Sequence, residues 1–73
     1  MLHEYRDLIA ELRQSDNHFA RLFNEHNALD EEINRMESDP AISANSHQDI
    51  ERKKREKLAL KDELYVLLQK AAG

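Results

Sequence analysis

One histidine lies on an otherwise apolar helical face, and it is the side chain best placed to do chemistry. In the segment HFARLFNEHNALDEEI (residues 18–33), steps of three and four place His26 between Leu22 and Leu29. Asp30 follows one turn later, so a histidine–carboxylate pair can form on the same face. His26 can therefore be a polar residue that fixes helix register, a pH-sensitive interface residue or a metal ligand.

The metal interpretation lacks ligands. A structural or catalytic metal needs about three or four of them, and the chain has no cysteine and no further suitable side chain near His26. We favour a polar side chain in an apolar seam that hydrogen-bonds across to a neighbouring helix, while partner contact and pH response stay open. His3, His18 and His47 lie near predicted helix ends or at exposed positions, where solvation explains them.

The basic run RKKREK (residues 52–57) is the second group that could do chemistry, here by contacting phosphates. No aromatic residue is interleaved for base stacking, and Glu51 and Glu56 dilute the charge. The spacing also allows Glu51–Arg55 and Arg52–Glu56 pairs within the helix. We predict a solvated face or a surface that docks on acidic residues. Nucleic-acid or partner contact is the alternative, through Arg52, Lys53, Lys54, Arg55 and Lys57.

Charge is unevenly distributed along the chain. The net charge is −4, yet residues 1–37 carry nine acidic and four basic side chains, whereas residues 50–73 carry four acidic and seven basic ones. Two helical arms of opposite charge attract each other when they lie side by side. Exposed ion pairs are individually weak, so we expect them to set orientation and partner choice more than stability.

Composition argues against an enzyme. The 73 residues include no cysteine, one glycine and one proline, which excludes a disulfide framework and a glycine-rich phosphate loop. No nucleophile–base grouping or paired carboxylates in a cleft can be recognised, so we expect no catalytic, cofactor or metal site. The N-terminus does not resemble a signal peptide, and the longest apolar run, Leu64–Leu68, is too short to cross a bilayer. We expect a cytoplasmic protein.

Helical periodicity predicts one domain over residues 1–73, with helices at about 3–14, 17–37 and 47–71 and a connector at 38–46. Ser15, Asp16 and Asn17 favour caps and turns, and Asp16 is the predicted N-cap of the second helix. A single bent helix over both segments is the alternative. In the connector, Pro40 and the Ser/Asn cluster favour turns, and Ser46 with Asp49 resembles a capping box.

These elements predict an all-α fold, an antiparallel helical hairpin with a short N-terminal helix. Two helices cannot cover so wide an apolar stripe, and we expect Phe19, Phe23, Leu64 and Leu68 to stay partly exposed. Self-association into a four-helix bundle, most simply as a homodimer, would bury them. The predicted core or interface residues are Phe19, Leu22, Phe23, His26, Leu29, Ile33, Leu58, Leu60, Leu64 and Leu68.

Three stretches, EYRDLIAEL, FARLFNEHNALDEEI and KREKLALKDEL, together resemble the small bacterial YdcH-like family, whose function is unknown. In that family an Asn-Pro pair often precedes the second helix, where this chain has Asp16-Asn17. The resemblance implies a self-associating helical hairpin without a catalytic residue, and it implies that a histidine at position 26 belongs to the family pattern. Its most specific residues are Phe19, Leu22, Phe23, His26, Asn27, Leu29, Asp30 and Ile33, then Lys57, Leu58, Leu60, Lys61, Asp62 and Glu63.

The sequence thus predicts a non-catalytic protein–protein interaction or assembly module with an unidentified protein partner. An accessory nucleic-acid-binding protein that uses residues 52–57 is the alternative. A peripheral membrane element using the leucine-rich C-terminal helix is a third interpretation, and the acidic net charge argues against it.

Overall fold

A computed structural model describes residues 5–73, and within them the fold is all-α, as predicted. The helices are α1 (Arg6–Ser15), α2 (Asn17–Ser38), α3 (Pro40–Asn45) and α4 (His47–Ala72). Residues 5–73 contain no strand. The predicted start of the first helix at residue 3, and with it His3, lies outside the described residues.

Asp16 separates α1 from α2, which confirms the predicted break and excludes a single bent helix. Its backbone is extended, with φ −128° and ψ 106°. One carboxylate oxygen, Oδ1, accepts hydrogen bonds from the backbone N–H groups of His18 at 3.0 Å and Phe19 at 3.1 Å. Asp16 is therefore the N-cap of α2, because it satisfies two N–H groups that have no partner within the helix.

The segment predicted as a turn-rich connector, 38–46, contains the short helix α3. Asp39 Oδ1 accepts from the N–H groups of Ala41 at 3.0 Å and Ile42 at 3.4 Å, and Pro40 occupies the first turn. An aspartate followed by proline stops one helix and also starts the next, since proline is well suited to a first helical position. The sequence prediction used only the stop signal.

Helix α4 begins at His47, as predicted, but not through a capping box. The Ser46 side chain makes no capping hydrogen bond to α4. Instead, the Ser46 backbone N–H donates to the Ile42 carbonyl at 2.8 Å and closes α3. Ser46 is thus mainly the C-terminal residue of one helix rather than the side-chain cap of the next.

Helices α2 and α4 pack antiparallel, and α1 folds back onto one face of this hairpin. Contacts such as Lys57–Asp30 and Lys54–Glu37 show the direction, because residue numbers fall along α4 as they rise along α2. On the α1 side, the Arg13 guanidinium lies 4.9 Å from the centre of the Phe23 ring. The Tyr5 and Tyr65 rings meet edge to face, with centroids 5.8 Å apart.

The main apolar cluster lies where α1, α2 and α4 meet. It consists of Phe19, Leu22, Leu64 and Leu68, and side chains of α1 such as Leu8 and Leu12 pack against it. Phe19, Leu64 and Leu68 are fully buried. The expectation that these three stay partly exposed without a second copy is therefore wrong, because α1 covers them. Burying each such side chain contributes roughly 1.5–3 kcal/mol.

Ile33 of α2 and Ile50 of α4 are also buried, toward the α3 end of the hairpin. No helix within residues 5–73 has the length and apolar character needed to span a membrane.

Candidate docking surface

Three lysines of the basic run make ion pairs with carboxylates of α2. The distances are 3.1 Å for Lys53 Nζ to Glu32, 3.0 Å for Lys54 Nζ to Glu37 and 2.9 Å for Lys57 Nζ to Asp30. The basic arm of α4 thus docks on the acidic α2, one of the two arrangements that the charge distribution predicts.

The two arginines of the run behave differently from the lysines. Arg52 pairs with Asp49 of its own helix at 3.2 Å, instead of with Glu56 as its spacing suggested. Arg55 takes part in no ion pair within residues 5–73, so the predicted Glu51–Arg55 pair does not form either. Arg52 and Asp49 are three residues apart, and side chains with this spacing are neighbours on a helix, as are those four residues apart.

Two of the interhelical pairs shift the pKa of a member. The hydrogen bond from Lys57, together with its charge, lowers the pKa of Asp30 below its ordinary value of 3.8. The hydrogen bond to Glu37 and that carboxylate's charge raise the pKa of Lys54 above its ordinary value of 10.5. Both pairs are open to water, so they orient α4 on α2 more than they stabilise the fold.

Within residues 5–73 His26 makes no hydrogen bond to another helix, so the predicted bond across to a partner stays a prediction. Its side chain is half-buried on the α1 side of α2, where it lines a shallow groove with residues such as Ile9 and Phe23. Its Nδ1 lies 3.3 Å from Oδ1 of the neighbouring Asn27. A polar contact between α2 and α4 is made instead by Asp30, one turn after His26, which accepts a hydrogen bond from Lys57.

The predicted core and interface residues divide into three groups by burial. Leu58 is 55% exposed and takes no part in the core of the chain, so its role at an interface stays a prediction. Half-buried members are Phe23, His26, Leu29 and Leu60. Buried members are Phe19, Leu22, Ile33, Leu64 and Leu68.

An open apolar groove runs between α2 and α4 on the side away from α1. Ala28 lies five residues after Phe23, or about 140° around α2, and Ala59 lies six residues before Tyr65, or about 120° around α4. Because Phe23 and Tyr65 contact α1, the two alanines belong to the opposite side of the hairpin. The groove has a volume of about 550 Å³, enough for several side chains of a docked element.

The groove has apolar walls and an acidic rim. Its apolar residues are Ala28, Leu29, Ala59 and Leu60, and its acidic residues are Glu25, Glu32 and Glu56. Glu32 is held by Lys53, whereas Glu25 and Glu56 take part in no ion pair in the described part of the chain. We call this set of seven residues the acidic groove.

Sequence reasoning found the leucines of the acidic groove but missed its alanines. The available signal was the Ala-Leu pair at 28–29, repeated at 59–60. In each pair a small residue stands beside a leucine of the apolar stripe, which widens the stripe without adding bulk.

Across residues 5–73 no group of three or more histidine, aspartate or glutamate side chains is arranged to hold a metal ion. The arrangement is suited to recognition of another molecule.

The fold and this surface define a small all-α protein, a helical hairpin with a further helix folded onto one face. Residues 19–68 match the family described as "Protein of unknown function (DUF465)". The chain is 44% identical over 69 residues to the "Uncharacterized protein YdcH" of Escherichia coli (strain K12), an alignment that covers 94% of this chain and 90% of that protein. The protein of the same name from Shigella flexneri gives the same values.

The chain therefore belongs to the DUF465 family, and the resemblance to YdcH-like proteins is confirmed. No solved structure matches the chain significantly. The matched residues include most of α2, all of α3 and most of α4, so they include every residue of the acidic groove but not α1.

Proposed function

We propose that the protein is a non-catalytic interaction module that binds another protein through the open face of its hairpin. The observation that supports this proposal is the asymmetry of the hairpin. Helix α1 covers one face, while the other face presents the acidic groove with half-buried Leu29 and Leu60. A partner that covered this groove would remove those leucines from water.

The hairpin is suited to such a role because its two long helices are already fixed relative to each other. The apolar cluster around Phe19 packs α2 against α4 at one end, and Ile33 and Ile50 are buried toward the other. The three lysine–carboxylate pairs lie between helices α2 and α4. A preorganised surface loses little conformational entropy on binding, so more of the contact energy is available for affinity.

A homodimer in the cytoplasm is the second form that this proposal takes. Burial of exposed core residues no longer supports a homodimer, because Phe19, Leu64 and Leu68 are already fully buried within one chain. The residues that still support it are Leu58 and Val66, which are 55% and 46% exposed on α4. A second copy packed along this helix would cover both.

Nucleic-acid binding through residues 52–57 has less support. Lys53, Lys54 and Lys57 are paired with carboxylates of α2, and Arg52 is paired with Asp49. A phosphate would have to displace an acidic side chain from each of these four cations. Arg55 alone, among the five cations, makes no such pair in the part of the chain that the structure describes.

The proposal is tested by affinity capture of the tagged protein from its own cells at physiological salt, with and without nuclease. We expect a protein partner that is retained after nuclease treatment, and equally retained by the Arg52→Gln/Arg55→Gln variant. Partners that are lost with nuclease and with that variant would instead establish the nucleic-acid alternative. Light scattering on the purified protein decides the homodimer, since one chain has a mass of 8.6 kDa.

A further inference from the structure

We propose that the element bound in the acidic groove is an amphipathic α-helix of a partner protein, with an apolar stripe flanked by lysine or arginine. This inference rests on the proposed function and deepens it, because it names the chemistry of the partner. Shape, charge and the distribution of the chain's own cations each support it.

The shape of the acidic groove fits a helix. Its walls are two antiparallel helices, and the α2 wall extends from Glu25 to Glu32, about 10 Å or two helical turns. Helices pack at about 8–10 Å between axes, and the closer distances require small side chains at the contact. Ala28 and Ala59 supply such positions on the two walls. Leu29 and Leu60 form the apolar surface on which a stripe at i, i+3, i+4 and i+7 would pack.

The charge of the rim selects a basic helix. All three charged residues of the acidic groove are glutamates, and two of them, Glu25 and Glu56, have no ion-pair partner within residues 5–73. They lie on different walls, so they would flank a docked helix on both sides. Lysine or arginine beside the apolar stripe would pair with them, whereas an acidic flank would meet like charge.

A second copy of this chain does not provide that helix. In a two-fold symmetric contact the same patch meets itself, so the glutamates of one groove would face those of the other. Of the five cations of residues 52–57, Arg55 alone makes no ion pair within residues 5–73, so this segment offers a single unpaired charge in trans. The occupant is therefore a different protein.

Three synthetic peptides of 18 residues test the proposal on the full-length protein at about 150 mM salt. The first has a leucine stripe flanked by lysines, the second has the same stripe flanked by glutamates, and the third is a shuffled version of the first with no apolar face. Binding is measured by fluorescence anisotropy. Backbone amide shifts in NMR spectra then locate the site.

We expect only the lysine-flanked peptide to bind, with shifts at Ala28, Leu29, Ala59 and Leu60. Replacing both unpaired glutamates (Glu25→Gln/Glu56→Gln) should weaken binding about fivefold, as expected for two exposed charge pairs. Ala59→Arg, which fills the groove and places a positive charge in it, should weaken it more than tenfold. Ala10→Arg is the matched control, an exposed alanine on α1 across the hairpin, and it should leave binding unchanged.

Equal binding of the shuffled peptide would overturn the proposal, because it would show charge attraction without recognition of a helix. Shifts confined to α1, or a loss with Ala10→Arg as large as with Ala59→Arg, would place the site elsewhere and overturn it as well. A captured protein partner whose binding does not respond to Ala59→Arg would leave the interaction module intact and refute only the acidic groove as its site.

Discussion

Two leucines of α4 provide the sharpest test of how the chain is stabilised. Leu68 is fully buried in the apolar cluster, whereas Leu58, ten residues earlier on the same helix, is 55% exposed. Both were predicted as core or interface residues from the same periodicity. Replacing each by alanine removes the same atoms from the same helix, so helix propensity cancels and the difference measures burial.

The expected costs differ severalfold. Leu68→Ala removes a buried side chain and leaves a cavity, which lowers the free energy of unfolding by about 2–5 kcal/mol. Leu58→Ala changes a surface position and should stay within about 0.5 kcal/mol. A chain of this length has a total stability of roughly 4–11 kcal/mol, so the first variant loses a large part of it. Urea unfolding, followed by circular dichroism at 222 nm, measures both values.

The result that refutes the reasoning is a Leu58→Ala cost equal to or larger than that of Leu68→Ala. If the unfolding midpoint also rises with protein concentration, Leu58 lies in a subunit interface and stability includes association. If the midpoint does not depend on concentration, the packing of α4 described here is wrong.

Two further predictions concern the caps and the ion pairs. Asp16→Ala should destabilise the protein by about 0.5–2 kcal/mol, because Asp16 caps α2. Ser46→Ala is the matched control and should be nearly neutral, since the Ser46 side chain caps nothing; equal effects in urea titrations would contradict this. For the Asp30–Lys57 pair, the folded-state pKa of Asp30 lies below 3.8, so its contribution is present above that pH and disappears as the pH falls through the folded value. The stability difference between the protein and Lys57→Gln should therefore be constant near neutral pH and disappear as the pH falls below 3.8 and through the folded-state pKa of Asp30; a difference that persists in acid would show that the pair acts through packing.

Local signals account for what the sequence predicts well. Asp16 lies between a polar break and an apolar stripe, and its short carboxylate can reach only nearby N–H groups, so its role follows from sequence distance alone. The same holds for the docking of the basic arm on α2. Once the helices are antiparallel, a net positive arm lies against a net negative one whatever the details of the individual pairs.

The position of α1 could not be predicted in this way, and most of the wrong expectations follow from it. A period of three and four residues identifies one apolar face of α2, but it does not say how many helices share that face. In the structure two helices share it. Leu22 belongs to the cluster with α4, whereas Phe23 and His26 line the groove beside α1. His26 therefore lies beside the apolar stripe of α2, on the side that faces α1.

The same division explains why the open surface is acidic and lies opposite α1. Helix α1 covers the side of Phe23 and Tyr65, whereas the half-buried Leu29 and Leu60 lie on the other edge of the α2–α4 contact. Three lysines of α4, Lys53, Lys54 and Lys57, have carboxylate partners on α2, whereas Glu25 and Glu56 of the acidic groove have no ion-pair partner within residues 5–73. The interhelical pairs therefore neutralise Glu32 of the acidic groove but not its other two glutamates, so the groove keeps a net negative charge. On this distribution of charge we base the proposal that the acidic groove binds a basic helix of a partner rather than a second copy of the chain.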